Sequence, residues 1–301
     1  MPTIRPFPNA LLTPCCDPIF KALFTHDSPE SIYALQSFLS ALLKKPVSEV
    51  VLQPNELSIE SSTDKQSQFD LTCKCDEEFV NIEMQCQNYY LSFGKRAEYY
   101  ASHLLNHYVQ SGTDWPNVPK VFQISVLNFV YDTETENISL YQMRTEQNRV
   151  LDQSLNVIFM ELPKIKMLPD DAEKLTSAER WGKFFLYADN PEKQQFISEL
   201  CHAEEGIMQA EKTLSQISQD ELNWQRQKTY WGNISNWKTI RIEAETIGMQ
   251  KGMEKGIQEG LEKGSLIAKQ ETARRMIAKN TFPIEEIAEI SGLSVEEIKE
   301  L

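Results

Sequence analysis

One stretch, QFDLTCKCDEEFVNIEMQCQ at residues 68–87, restricts the fold of this chain more than any other. Side chains alternate across a strand, so Asp70, Thr72 and Lys74 share one face while Phe69, Leu71, Cys73 and Cys75 share the other. On the returning arm Asn81, Glu83, Gln85 and Gln87 oppose Val80, Ile82, Met84 and Cys86. With DEEF as a tight turn the two apolar faces coincide, because a one-residue slip would turn every side chain to the wrong side. The register then sets Asp70 across from either Gln85 or Glu83 and brings the two carboxylates close together.

Two carboxylates held that way on a rigid ribbon repel each other unless positive charge lies between them. Rich in oxygen, free of sulfur and open on one side, such a pocket suits Mg²⁺ or Mn²⁺ better than zinc. A hard cation completed by water and a substrate oxygen polarises a phosphate and activates water, which is the chemistry of phosphodiester hydrolysis. The plain alternative is a solvated strand face on which Lys74 makes a surface salt bridge worth under about 1 kcal/mol.

The flanking sequence predicts a mixed α/β sheet. From Asp17, DPIFKALF and SPESIYALQSFLSALLKK read as two helices, the second with Ser28 as cap and Pro29 in its first turn. VSEVVLQ reads as a strand entering a polar loop, SSTDKQS, before the hairpin. A long amphipathic helix is expected from about Tyr90 to Val109, ended by SGTDWPNVP. KVFQISVLNFVY, ISLYQMRTE and LNVIFMELPKI, rich in β-branched and aromatic residues, predict three further strands. From Pro169 to about Trp237 apolar residues recur three and four apart, so helices should cover a face of the sheet.

At 301 residues with 41% hydrophobic content, the chain can bury one large domain and carry an appendage. No apolar run reaches the length of a membrane span, and the first residues lack the order of a signal peptide, so a cytoplasmic protein is expected. The six cysteines show no zinc-finger spacing and read as free thiols. A net charge of −14 argues against a broad basic surface, so any nucleic-acid contact should be local and metal-assisted.

Three motifs together resemble a known family. DPIFKALF near the start, FDL followed by NIEMQ, and FGKRAEYYASHLL on the next helix are similar to the Rpn recombination-promoting nucleases and transposases of the PD-(D/E)XK phosphodiesterase superfamily. The resemblance covers roughly residues 15–240 and implies a restriction-endonuclease-like mixed sheet flanked by helices. It implies Asp70 and Glu83 as metal ligands, the backbone carbonyl of Met84 as a third contact, and Gln85 at the position where the superfamily usually has lysine. Glutamine cannot carry that lysine's charge or shuttle a proton. Arg96 on the following helix is the candidate to supply it by gripping the scissile phosphate, against the simpler role of capping a core stripe of Tyr100, Leu104 and Tyr108. His103 and His107, on the same side, are left out as ligands. Asp17, with Lys21 one turn later, matches the family's first helix and reads either as a distal metal contact or as a helix-terminus acid.

The expected organisation is therefore a nuclease-like domain over 1–240, a glycine-repeat helix or linker over 241–265, and a small helical region with an all-helical character over 266–301. In the repeat, five glycines at every fourth position from Gly248 to Gly264 would cost a helix about 4–5 kcal/mol relative to alanine. Their stripe suits close approach of a partner helix, whereas a charged tether is the bland reading. SVEEIKEL, in the place of a recognition helix, is acidic where a major groove presents a dense phosphate field, so self-association or partner binding is expected of the end in preference to DNA reading. The leading expectation is a divalent-metal-dependent DNA endonuclease acting as a dimer or larger assembly, with basic rims at KQSQ and GKR. The alternative is a catalytically silent nuclease-like oligomeric module.

Overall fold

The computed structural model describes residues 5–7, 9–54, 70–86, 93–109 and 114–301. The polar loop SSTDKQS, the rim KQSQ, the first residues of the helix expected from Tyr90 and part of the SGTDWPNVP break lie outside them.

Helices α1 (Asp17–Thr25) and α2 (Pro29–Leu43) lead into strands β1 (Val50–Gln53), β2 (Leu71–Cys75) and β3 (Glu78–Gln85). Then come α3 (Phe93–Tyr108), β4 (Val121–Leu127), β5 (Ile138–Gln142) and β6 (Leu155–Glu161). Helices α4 (Leu162–Lys166), α5 (Ser177–Tyr187), α6 (Gln194–Ala203), α7 (Glu205–Ile217) and α8 (Glu221–Lys279) follow, with α9 (Ile284–Ser291) and α10 (Val295–Lys299) at the end. The strands form one six-stranded mixed sheet in the order β1-β2-β3-β4-β6-β5. The central pairs β3–β4 and β4–β6 are parallel, and the outer pairs are antiparallel. A parallel pair needs a long crossover, and α3 is the crossover between β3 and β4.

Helices α2 and α5 start at side-chain caps. The Ser28 hydroxyl accepts from the Ser31 amide at 3.2 Å, and Thr176 and Glu179 close a reciprocal capping box at the start of α5. Helix α2 ends on Lys44, which takes a left-handed conformation at φ 54° and returns its N–H to the Ser40 carbonyl.

The sheet buries both faces. Val80, Ile82, Met84, Ile124, Val126, Ile158 and Met160 point to one side, where α1, α2, α5 and α7 bring in the main core. Phe24 stacks on Phe38 at 5.5 Å, and Phe20, Phe185 and Trp181 meet them edge-on or tilted, so the first two helices are clamped to α5 by ring packing. On the other side α3 lays Phe93, Ala97 and Ala101 against Leu127, Val157 and Phe159, and sets Leu104 against Val121. Under α3 the sheet is not purely apolar: Thr72, Asn81, Glu83, Gln123 and Ser125 are all at most 1% exposed. A neutral polar group so buried must be hydrogen-bonded to be tolerated.

The chain divides into two units, Met1–Ile234 and Ser235–Leu301. The second consists of the later part of α8, α9 and α10, the last two joined through Gly292 at φ 67° and closed by a small core of Ala273, Ile287, Leu293 and Ile298. The glycine repeat is helical throughout. A Cβ added at Gly248, Gly252, Gly256, Gly260 or Gly264 would meet nothing within 4 Å, and Met249, Met253, Ile257 and Leu261 beside them are exposed.

Candidate active site

The hairpin has its acids where the parity of the strands puts them. Cys75 pairs with Glu78 and Leu71 with Ile82, so continuing the ladder one residue sets Asp70 opposite Glu83 on the face under α3. The turn is the two residues Asp76 and Glu77, shorter than DEEF. Asp76 sits at φ 51°, a conformation its short polar side chain tolerates, and its carboxylate accepts the Ser48 hydroxyl at 2.7 Å and the Glu49 amide at 3.0 Å.

Glu83 is 1% exposed in mid-strand, and α3 crosses above it so that Arg96 Nη2 lies 3.6 Å from Glu83 Oε1. That is an ion pair too long to be a hydrogen bond. Among the described residues Glu83 Oε1 and Arg96 Nε have no hydrogen-bond partner. The Arg96 guanidinium also stands over the Tyr100 ring, 5.0 Å from its centre. Asp70 is ion-paired to Lys21 at 2.9 Å, and α1 brings Asp17 from its first turn to hydrogen-bond with Asp70. The other Asp17 oxygen, Oδ1, is buried and unpartnered.

Three acids and two bases, from α1, the β2–β3 ribbon and α3, thus meet in one place. Burial and the Asp70 charge push the Asp17 carboxyl up to about 7, with Lys21 opposing. Burial raises Glu83 to about 8; Arg96 counteracts this, and Asp70 and Asp17 add to it. Arg96, which burial alone would weaken as a base, is held above its usual range by Glu83, Tyr100 and Asp70. The cluster is short of positive charge.

Gln85 is half-buried at the end of β3, and its carbonyl accepts the Asn128 amide at 2.9 Å. That bond aims the Gln85 carbonyl at the β4 side. Successive carbonyls on a strand alternate, so the Met84 carbonyl points the other way, toward the side of β3 on which β2 runs and Asp70 lies. The Met84 side chain is in the main core, 2% exposed. Lys95, from the GKR segment, is exposed.

The donors are hard oxygens, and the buried Glu83 Oε1 lacks a partner, so Asp70, Glu83 and the Met84 carbonyl fit a small divalent cation that keeps several waters. Among the described residues no group of three or more His, Cys, Asp or Glu side chains is placed so that it could hold a metal ion by itself.

Two features were not read from the sequence. The Cys86 thiol, just past Gln85, is hydrogen-bonded to Tyr230 of α8 and donates to the Cys15 carbonyl at 2.9 Å, which ties the start of α8 to the rim of the site. A row of buried amides and hydroxyls runs across the sheet to the strand position beside Glu83. The signal for the second was Gln123 and Ser125 in VFQISVL, polar residues in a strand otherwise apolar enough to be buried on both faces.

The sequence model of one family, described as PD-(D/E)XK nuclease family transposase, matches residues 14–236. No curated protein and no solved structure gives a significant match. Nucleases of the PD-(D/E)XK type generally use divalent metals. A mixed sheet flanked by helices and a family match over most of its length make this chain a member of the PD-(D/E)XK nuclease family transposases.

Proposed function

We propose that the protein is a divalent-metal-dependent DNA endonuclease serving recombination or mobile-element activity. The observation that carries this reading is the meeting of Asp17, Asp70 and Glu83 beside Arg96, with one oxygen each of Asp17 and Glu83 buried and unpartnered. Asp70, Glu83 and the Met84 carbonyl hold Mg²⁺ or Mn²⁺. When bound, the ion supplies Lewis acidity toward the phosphate and makes the attacking water more acidic.

The chain's own residues do the rest. Arg96, anchored by Glu83 and braced over Tyr100, offers guanidinium donors to the non-bridging oxygens of the scissile phosphate. Gln85 orients the attacking water through its amide and takes no proton. Lys21 holds Asp70 in place and offsets the repulsion between Asp70 and Asp17. The helix α3 over Glu83 excludes bulk water from that side, which strengthens every charge interaction beneath it.

The acidic balance of the chain is compatible with this because phosphate contact is confined to a rim around a neutralised centre. We place the protein in the cytoplasm, with the C-terminal helices as the interface of a homodimer in which each subunit cuts one strand. Light scattering should then give a mass near twice 34.7 kDa; a monomer at working concentration would remove that part of the reading. No helix among the described residues is long and apolar enough to cross a membrane.

Plasmid incubated with the protein and Mg²⁺ or Mn²⁺ should be nicked or linearised, and EDTA should stop it completely. Cutting that persists in EDTA would refute the metal site. The absence of a ready-made three-ligand cage among the described residues, with a neutral Gln85 in the lysine position, favours the second reading of a silent nuclease-like module. Intact plasmid at every metal concentration would select it.

A further inference from the structure

Under α3 a line of hydrogen bonds crosses three strands, and all of its donors point one way. The Thr72 hydroxyl donates to Asn81 Oδ1 at 3.5 Å; Asn81 Nδ2 donates to Gln123 Oε1 at 2.7 Å; Gln123 Nε2 donates to the Ser125 hydroxyl oxygen at 3.3 Å. Each link except the last joins register partners, Thr72 with Asn81 and Asn81 with Gln123; the last runs along β4. Every member is at most 1% exposed, so bulk solvent does not reach the line.

The line stops one step short of the site. Ser125 accepts from Gln123, and among the described residues its own hydroxyl proton has no acceptor. Its register partner across the parallel ladder is Glu83, on the same face, whose buried Oε1 has no donor. A buried donor without an acceptor next to a buried acceptor without a donor is a costly arrangement that a small side-chain rotation removes.

We propose that Ser125 is a positioning residue for Glu83, the end of a relay Thr72–Asn81–Gln123–Ser125 that fixes the glutamate's carboxylate. Rotation of the Ser125 hydroxyl onto one carboxylate oxygen would leave the other available to hold a divalent cation. Because the Asn81 and Gln123 amides are locked by their own bonds, the hydroxyl proton cannot turn back toward them: Gln123 Nε2 is itself a donor to the Ser125 oxygen. Arg96 grips the carboxylate from α3 and Ser125 from the sheet, so the glutamate is held from both sides. This proposal rests on the nuclease reading for its purpose but not for its geometry.

The test has two arms. In the first, Mn²⁺ affinity by calorimetry and plasmid cleavage are measured for Ser125→Ala and Ser125→Thr. Alanine should weaken both by about 10–100-fold, the size of effect typical of residues that orient metal ligands, with threonine restoring them to within about 3-fold. In the second, unfolding of metal-free protein at pH 9 is followed through the cycle of Ser125→Ala, Glu83→Gln and the double variant. A hydroxyl that reaches the carboxylate makes the two substitutions non-additive by about 3-fold or more in the unfolding constant. Additive effects, or a threonine variant as impaired as alanine, would overturn the proposal. Wild-type protein that neither binds Mn²⁺ nor cuts DNA would instead overturn the nuclease reading, and the metal-free cycle would still decide the role of Ser125.

Discussion

Replacing Asp70 with asparagine should lower plasmid cleavage by about 10³-fold or more while leaving the fold nearly as stable as before. The two halves of this expectation come from different parts of the structure. Asp70 lies just ahead of β2 at the rim, its side chain 21% exposed and paired with a Lys21 that is itself 28% exposed, so the pair contributes at most about 1 kcal/mol to stability. Asparagine keeps the shape and the capacity to accept from Lys21. It also removes a charge that now pushes the Asp17 carboxyl upward, which offsets part of the loss. Activity has no such compensation, because a neutral amide is a poor ligand for a hard cation and such sites lower the barrier mainly by placing charge against the transition state. Nicking rates beside circular dichroism melts measure both halves. Cutting within about 10-fold of wild type would show that Asp70 does not hold the ion.

Glu83→Gln should separate stability from function more sharply, abolishing cleavage while stabilising the metal-free protein. The sign follows from the direction of the shift. Glu83 is raised from 4.5 in the unfolded chain to about 8 when folded, so the folded state favours the protonated form. That preference contributes fully below about pH 4.5 and is lost as pH rises through 8, where a buried, incompletely paired carboxylate has to be carried. Asp17, raised to about 7, acts in the same direction over much of the same window. Metal-free wild type should therefore lose stability between about pH 5 and 8. The glutamine variant, having nothing to ionise at this position, should lose less. At pH 8 the difference should be of order a few kcal/mol, or roughly 5–10 °C in melting temperature for a unit of this size. Mn²⁺ should raise the melting temperature of wild type and leave that of the variant nearly unchanged. Calorimetric melts across the pH range, with and without metal, provide the check; a glutamine variant less stable than wild type at pH 8 would mean that Arg96 satisfies the ionised carboxylate after all.

The meeting of Asp70 and Glu83 was legible in the sequence for a physical reason. Acids in phase on a strand that is otherwise apolar are costly, and the cost points to a use. Parity alone placed Asp70 and Glu83 together, since side chains repeat every two residues whatever the loop length. It could not choose between Gln85 and Glu83 as the residue opposite Asp70. A turn taken as DEEF pairs Cys75 with Val80, whereas the two-residue turn through Asp76 pairs it with Glu78, a shift of two that keeps the face and changes the partner. Ser28 and Pro29 marked the start of α2 because capping is a local event.

Long-range relations were not legible in the same way. Nothing local in DPIFK says that Asp17 will hydrogen-bond to Asp70, because helix packing on α2 and on α5, which lies far along the chain, sets that approach. The order of β4, β6 and β5 in the sheet follows no pattern in the strands themselves. The row from Thr72 to Ser125 could be suspected only as polar residues in the wrong place, since each member but the last finds its partner on a neighbouring strand.

Crystals soaked in Mn²⁺ and measured at the manganese absorption edge put the central claim to the most direct test. An anomalous peak in contact with the carboxylates of Asp70 and Glu83 and the Met84 carbonyl, lost in Asp70→Asn, is the predicted result. A peak elsewhere, or none at saturating Mn²⁺ with DNA bound, would contradict it.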